Sequence, residues 1–186
     1  MQGKRNSDQG GTAAAPARAS DASVEHVLKL SATPQEFCAA VAKLFGVRPT
    51  EVALMRLQKG LLSFLYPEQL KTAGSIPVSS SSAVAAHTAS TRKTELFNAF
   101  VKVKHASIFE TVKLNGSSED VERSGQNAIQ KLMSAPILNK ERKVLGVVQV
   151  CRKGFDPATA GPDFSPEDLQ QLELAAKVVS GLPFLA

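Results

Sequence analysis

Tryptophan is absent from the 186 residues, tyrosine occurs once, and aromatic residues together reach only 5%. Recognition of sugars or nucleic-acid bases by stacking on exposed rings has little to build on. Two cysteines, Cys38 and Cys151, are too few for a disulfide framework. Cys38 falls in an apolar helical pattern and Cys151 closes an apolar run, so both read as small buried hydrophobes of a reducing compartment. The three histidines, His26, His87 and His105, lack metal-ligand spacing, no cysteine or acidic pair completes a set, and no metal is expected. No window approaches the ~18 consecutive apolar residues of a membrane span. Lys4-Arg5 leads into Gly, Ala, Ser and Gln rather than a secretory apolar segment. A cytoplasmic protein without membrane contact is expected. The net charge of +5 is spread along the chain, and the longest basic clusters are Arg92-Lys93 and Lys102, Lys104, His105. A diffuse excess of this kind is a solvated surface, and no nucleic-acid partner is expected.

What is present suffices for one core. Hydrophobic residues make up 43% of the chain, at a length that suits a single domain. Residues 1–22 are rich in Gly, Ala and Ser and are expected to form a disordered tail, with the domain over 23–186. Val24, Val27 and Leu28 open a first helix. Thr33-Pro34-Gln35-Glu36 combines a cap, an N1 proline and a capping-box acid; Phe37, Val41, Leu44 and Phe45 line one face, and Gly46 ends the helix. Residues 52–57 and 61–66 read as strands around a Lys59-Gly60 turn. Serines 79–82 are expected to cap a short Ala-rich helix ending near Arg92. Residues 94–100 read as a strand with Leu96, Asn98 and Phe100 on one face. Residues 105–113 read as a short helix, and a further helix after Ser118 carries Val121, Gly125, Ala128 and Ile129 inward. A hairpin of 132–138 and 144–151 follows. Its second arm is nearly all apolar, which suits a central strand, and Gly146 marks a bulge or close backbone approach. Ser165-Pro166-Glu167-Asp168 opens the last helix. Leu169, Leu172, Ala176 and Val179 line one of its faces, and Leu174 and Val178 form a second stripe. Hairpins at both ends and helices that do not alternate singly with strands give an α+β class with an antiparallel sheet.

Three stretches resemble the GAF domain, a ligand-sensing module of signalling proteins. Gln130 to Ile137 with Lys143 to Val150 is similar to the family's paired strands. Arg152-Lys153 followed by Phe164-Ser165-Pro166-Glu167-Asp168-Leu169 resembles its junction into the last helix. Ser82 to Thr88, before the strand ending at Asn98, stands where the family has a small-residue helix. The resemblance implies a PAS-related sheet with the terminal helices on one face and short helices and loops over the other. Cyclic-nucleotide-binding members carry a spaced Asn-Lys, Phe, Asp-Glu signature. Lys153, Phe164 and Asp168 match it, whereas Arg152 and Leu169 replace the Asn and the final Glu. The resemblance leaves Lys153 and Asp168 as a structural ion pair. The pocket-loop cysteines of the family's methionine-sulfoxide reductases have no counterpart between Gly46 and Val150.

Nothing assembles into a general acid and base, so no enzyme is expected. Two functions stay open. In the first, a sensor binds an unidentified small molecule through Ser82, His87, Asn98, Phe100, His105 and Phe109, and signals through its terminal helices to a partner protein. Histidines satisfied by protein and phenylalanines in the core are the competing assignments. In the second, the pocket is filled and the domain serves protein interaction, with Leu174 and Val178 covered by a homodimer partner. No cofactor is named by the residues.

Overall fold

Helix starts follow from side-chain oxygens that accept otherwise orphaned N–H groups. In the computed structural model, which describes residues 20–100 and 128–185, Thr33 Oγ1 accepts from Glu36 N at 3.2 Å and Glu36 Oε2 accepts from Ala32 N at 2.8 Å. They open α2 (Pro34–Phe45), which ends at Gly46 with φ of 59°, a left-handed cap suited to glycine. The final helix, α4 (Pro166–Val179), is capped reciprocally: Ser165 Oγ accepts from Asp168 N and Asp168 Oδ2 from Ser165 N. The first helix, α1 (Asp21–Lys29), starts two residues inside the expected tail, capped by Ser20.

Six antiparallel strands stand in the order β3-β2-β1-β6-β5-β4. They are β1 (Val52–Gln58), β2 (Leu61–Tyr66), β3 (Ser75–Pro77), β4 (Glu95–Phe97), β5 (Ile129–Leu138) and β6 (Val144–Lys153). Lys59 and Gly60 both have positive φ, 50° and 78°, as a two-residue primed hairpin turn requires. The central β6 is buried through its middle, as its apolar run implied. Gly146 faces Arg56 across the β1 pairing, beside a register shift against β5.

The alternation of side chains divides the core in two. Val52, Leu54, Met133, Ala135, Val148 and Val150 pack with α1, α2 and α4. Ala53, Met55, Leu132, Val147 and Cys151 face the other way, toward the short helix α3 (Val84–Thr91). This α+β arrangement is the expected one. Both cysteines are buried, and burial pushes the Cys38 thiol well above the ordinary thiol range.

Several local expectations change. Strand β3 escaped the sequence pattern. The strand read over 94–100 shortens to Glu95–Phe97; Leu96 packs with the terminal helices and Phe100 with the α3 side, so they do not share a face. Ile129 opens β5 instead of closing a helix. No side chain caps α3; its N-cap is Ala83, and Ser80 Oγ instead accepts from Ser82 N. The second stripe of α4 is covered inside the chain: α1 packs on α4, Val24 and Leu28 share a core with Val178, and Gln171 Nε2 donates to Asp21 Oδ1. The helices expected at 105–113 and after Ser118, with the candidates His105 and Phe109, lie outside the described residues.

Candidate ligand-binding face

Among the described residues, the α3 side of the sheet is apolar apart from one chain of polar groups. Ser134 on β5 and Gln149 on β6 are cross-strand partners pointing to this side, and both are buried. Thr88, fully buried on α3, sits above them. Gln149 Nε2 donates to Ser134 Oγ at 3.1 Å, Ser134 Oγ lies 2.7 Å from Thr88 Oγ1, and Thr88 Oγ1 donates to Glu95 Oε2 at 2.7 Å. A threonine hydroxyl has one proton, and the carboxylate takes it. Ser134 must therefore donate to Thr88, and the chain runs one way, from amide through two hydroxyls to carboxylate. Such one-way chains polarise along their length. Glu95 Oε1 accepts from His87 Nδ1 at 2.8 Å, so that ring nitrogen carries a proton. The network thus reaches from the half-exposed His87 to the centre of the sheet.

Among the described residues, Thr88, Glu95, Ser134 and Gln149, joined at the rim by the candidate His87, supply the polarity of the face. Ser82 is exposed and bonded to Ser80. His87 belongs to the network from its rim. Phe100 is buried against Phe97, ring centroids 6.1 Å apart at 72°, and is a core residue. Asn98 holds the chain together: its Nδ2 donates to Phe164 O at 2.9 Å and its Oδ1 accepts from Phe164 N at 3.0 Å. Thr88, Glu95, Ser134 and Gln149 went unnoticed in the sequence; the signal for the last two was a polar residue at matching places in two apolar strands.

We expect Thr88→Val, which keeps the shape and removes the hydroxyl, to cost about 1–3 kcal/mol, because Glu95 and Ser134 each lose a partner. In urea denaturation, Thr88→Val combined with Ser134→Ala should cost less than the sum of the single variants, since both cut the same chain.

A second polar cluster ties the far end of β6 to α2 and to the loop before α4. Glu51 is buried; its Oε1 accepts from Arg48 Nη2 at 2.9 Å and Lys153 N at 2.7 Å, and its Oε2 from Arg48 N at 2.8 Å. Burial acts to raise its pKa, but these bonds and the Arg48 charge outweigh it and hold the carboxyl below the ordinary glutamate value. Arg152 Nη2 donates to Phe45 O at 3.0 Å, and its guanidinium lies 4.7 Å from the Phe164 ring centroid. Lys131, almost fully buried, bonds Gly161 O at 2.6 Å and Asp163 Oδ1 at 2.7 Å. Asp168 serves the α4 cap, and the Lys153 amide serves Glu51. Lys131–Asp163 is an ionic tie at this junction that sequence reading missed.

Comparison with known proteins adds three findings. A sequence model described as GAF domain matches residues 30–181. No curated protein matches the chain. Solved structures share its fold. The GAF domain from Acinetobacter phosphoenolpyruvate-protein phosphotransferase is 15% identical, with TM-score 0.58 over 87% of this chain and 88% of that one. Residues 122 to 287 of a methyl-accepting chemotaxis protein are 15% identical, with TM-score 0.54 over 84% and 92%. The type II free methionine-R-sulfoxide reductase from Thermoplasma acidophilum is 13% identical, with TM-score 0.52 over 84% and 92%.

Proposed function

The chain belongs to the GAF domain family, and from that premise we propose that it is a non-catalytic sensor that holds a small molecule on the α3 face of its sheet. One observation carries this reading: among the described residues, a directed chain of polar groups, buried Gln149, Ser134 and Thr88 leading to the partly buried Glu95, is set in an otherwise apolar face. Few polar groups converging within apolar walls are what a ligand site needs for orientation. The same strands supply a route outward. Ser134 and Gln149 alternate with Met133, Ala135, Val148 and Val150, which pack in the core that holds α4. A molecule that displaces the first set moves the second, and the terminal helices carry the shift to a partner protein.

Two activities found within the fold family fit this chain poorly. The reductase chemistry would need reactive thiols, whereas Cys38 and Cys151 are both buried and the Cys38 thiol is pushed up by its surroundings. At the two positions where the cyclic-nucleotide signature is broken, Arg152 is engaged with Phe45 and Phe164, and Leu169 packs on the helix-side core. The interaction reading retains one supporting feature. Val27 and Leu30 on and beside α1 are 52% and 70% exposed, so a second copy would have an apolar surface to cover.

Native mass spectrometry of protein purified from its own host tests the sensor reading. We expect a retained small molecule, which Ser134→Ala with Gln149→Leu abolishes while the variant stays folded. A bare chain, or a dimer with no added mass, contradicts it.

A further inference from the structure

We propose that the open cleft at the C-terminal end of β6 is a second binding site, specific for a small organic anion with a carboxylate or phosphate head and an apolar body. Its lining shares no residue with the α3-face network, so the assignment stands apart from the sensor reading.

The cleft has a volume of about 840 Å³, and Arg48, Glu51, Arg152, Lys153, Phe155 and Pro162 are among its lining residues. Three of these are cations and one is an acid. The acid is already committed, since both Glu51 oxygens accept from Arg48 and the Lys153 amide. Arg152 differs from Lys131 and Arg48 at this junction. Lys131 has Asp163 and Arg48 has Glu51, but among the described residues Arg152 has no carboxylate partner. It contacts a neutral carbonyl and the face of Phe164. A guanidinium offers five donors in a planar fork suited to an oxoanion, and one half shielded from water without a counter-charge favours such a ligand.

The loop from β6 to α4 shapes the opposite wall with bare backbone. A Cβ at Gly154 would stand 2.8 Å from Ala160 N, so only glycine lets the loop fold back there. Gly161, at φ of 97°, passes over Arg152, whose Nη1 a Cβ would meet at 3.5 Å. At the rim Phe155 is 71% exposed. An aromatic left in water beside a cationic cleft supplies contact area for an apolar body attached to the anion.

The test is an NMR titration of the whole protein, labelled with ¹⁵N and with ¹³C-methyl methionine, with phenyl phosphate, benzoate and inorganic phosphate. The expected result is saturable movement of the Gly154 and Gly161 amides and of the Arg152 Nε–H, with the Met55 methyl unmoved. Phenyl phosphate should saturate at about tenfold lower concentration than inorganic phosphate, the difference a buried ring face supplies. Benzoate against phenyl phosphate distinguishes a carboxylate from a phosphate head. Phe155→Ala, a change at an exposed residue, should reduce the phenyl phosphate advantage to threefold or less, on the order of one lost aromatic contact. Arg152→Gln should abolish the movement; because Arg152 also braces Phe45 and Phe164, the exposed Phe155→Ala variant keeps the test independent of folding. Shifts equal in size at exposed lysines such as Lys140, at the other end of the sheet, or an unchanged phenyl phosphate advantage in Phe155→Ala, would overturn the proposal.

Discussion

Gly146→Ala is expected to abolish the folded state under conditions where the natural chain is stable. A Cβ at this position would overlap the carbonyl oxygen of Met55 and stand 3.1 Å from its carbon and 3.3 Å from Arg56 Cα. All three are backbone atoms of the neighbouring central strand, so no side-chain rotation relieves the overlap. Strands β1 and β6 would have to separate where both cores meet. Overpacking of one methylene in a core usually costs about 1–3 kcal/mol; a clash with paired backbone belongs to the rarer class above about 4 kcal/mol. Urea denaturation followed by circular dichroism measures it. A midpoint within experimental error of the natural chain would show that the strands do not approach as described.

Glu51→Gln is the second large effect, and it depends on pH. The carboxylate is surrounded by three donors. A glutamine must turn its NH₂ toward at least one of them, and Arg48 loses its counter-charge. Glu51 is buried but the Arg48 side chain is 57% exposed, so the cost falls below the about 3–5 kcal/mol of a fully buried pair; we expect about 2 kcal/mol at pH 7, because the amide also keeps one acceptor. The sign of the pH dependence follows from the lowered pKa. A carboxyl depressed on folding contributes stability above its unfolded value, 4.5, and loses it as pH falls through the lower folded value. The natural chain should weaken on acidification through that range, while Glu51→Gln lacks this component. The two denaturation midpoints should converge below pH 4.5; a constant difference from pH 7 downward would remove Glu51 from this role.

The elements legible in the sequence were those whose chemistry is local. Thr33 with Pro34 and Ser165 with Pro166 announced two helices because caps act across three residues. Lys59-Gly60 announced a hairpin for the same reason, and Gly146 in an apolar run announced a close approach. Strand β3 has three residues and ends in proline, too short for any period to register. Serines 79–82 carried the composition of a cap, yet two of them bond each other.

The candidate site was harder to read because its partners are distant in sequence. Asn98 and Phe164 are 66 positions apart, and Thr88 and Ser134 are 46 apart. A polar residue near a pocket looks the same in sequence whether it will meet a ligand or a backbone amide. Asn98 met the amide. Ser134 and Gln149 looked like interruptions of apolar strands, and only the cross-strand register puts them side by side. The second stripe of α4 likewise suggested a partner copy until α1 was seen to lie on it.

The sheet gives one methyl reporter to each of its faces. Met55 sits in the α3-side core and Met133 in the helix-side core. The most direct measurement compares ¹³C-methyl methionine spectra of protein as isolated from its host with the same protein unfolded, dialysed and refolded. A small molecule seated under α3 predicts that the Met55 signal shifts on stripping, returns when the dialysate is added back, and moves far more than Met133. Superimposable spectra before and after stripping would contradict the account.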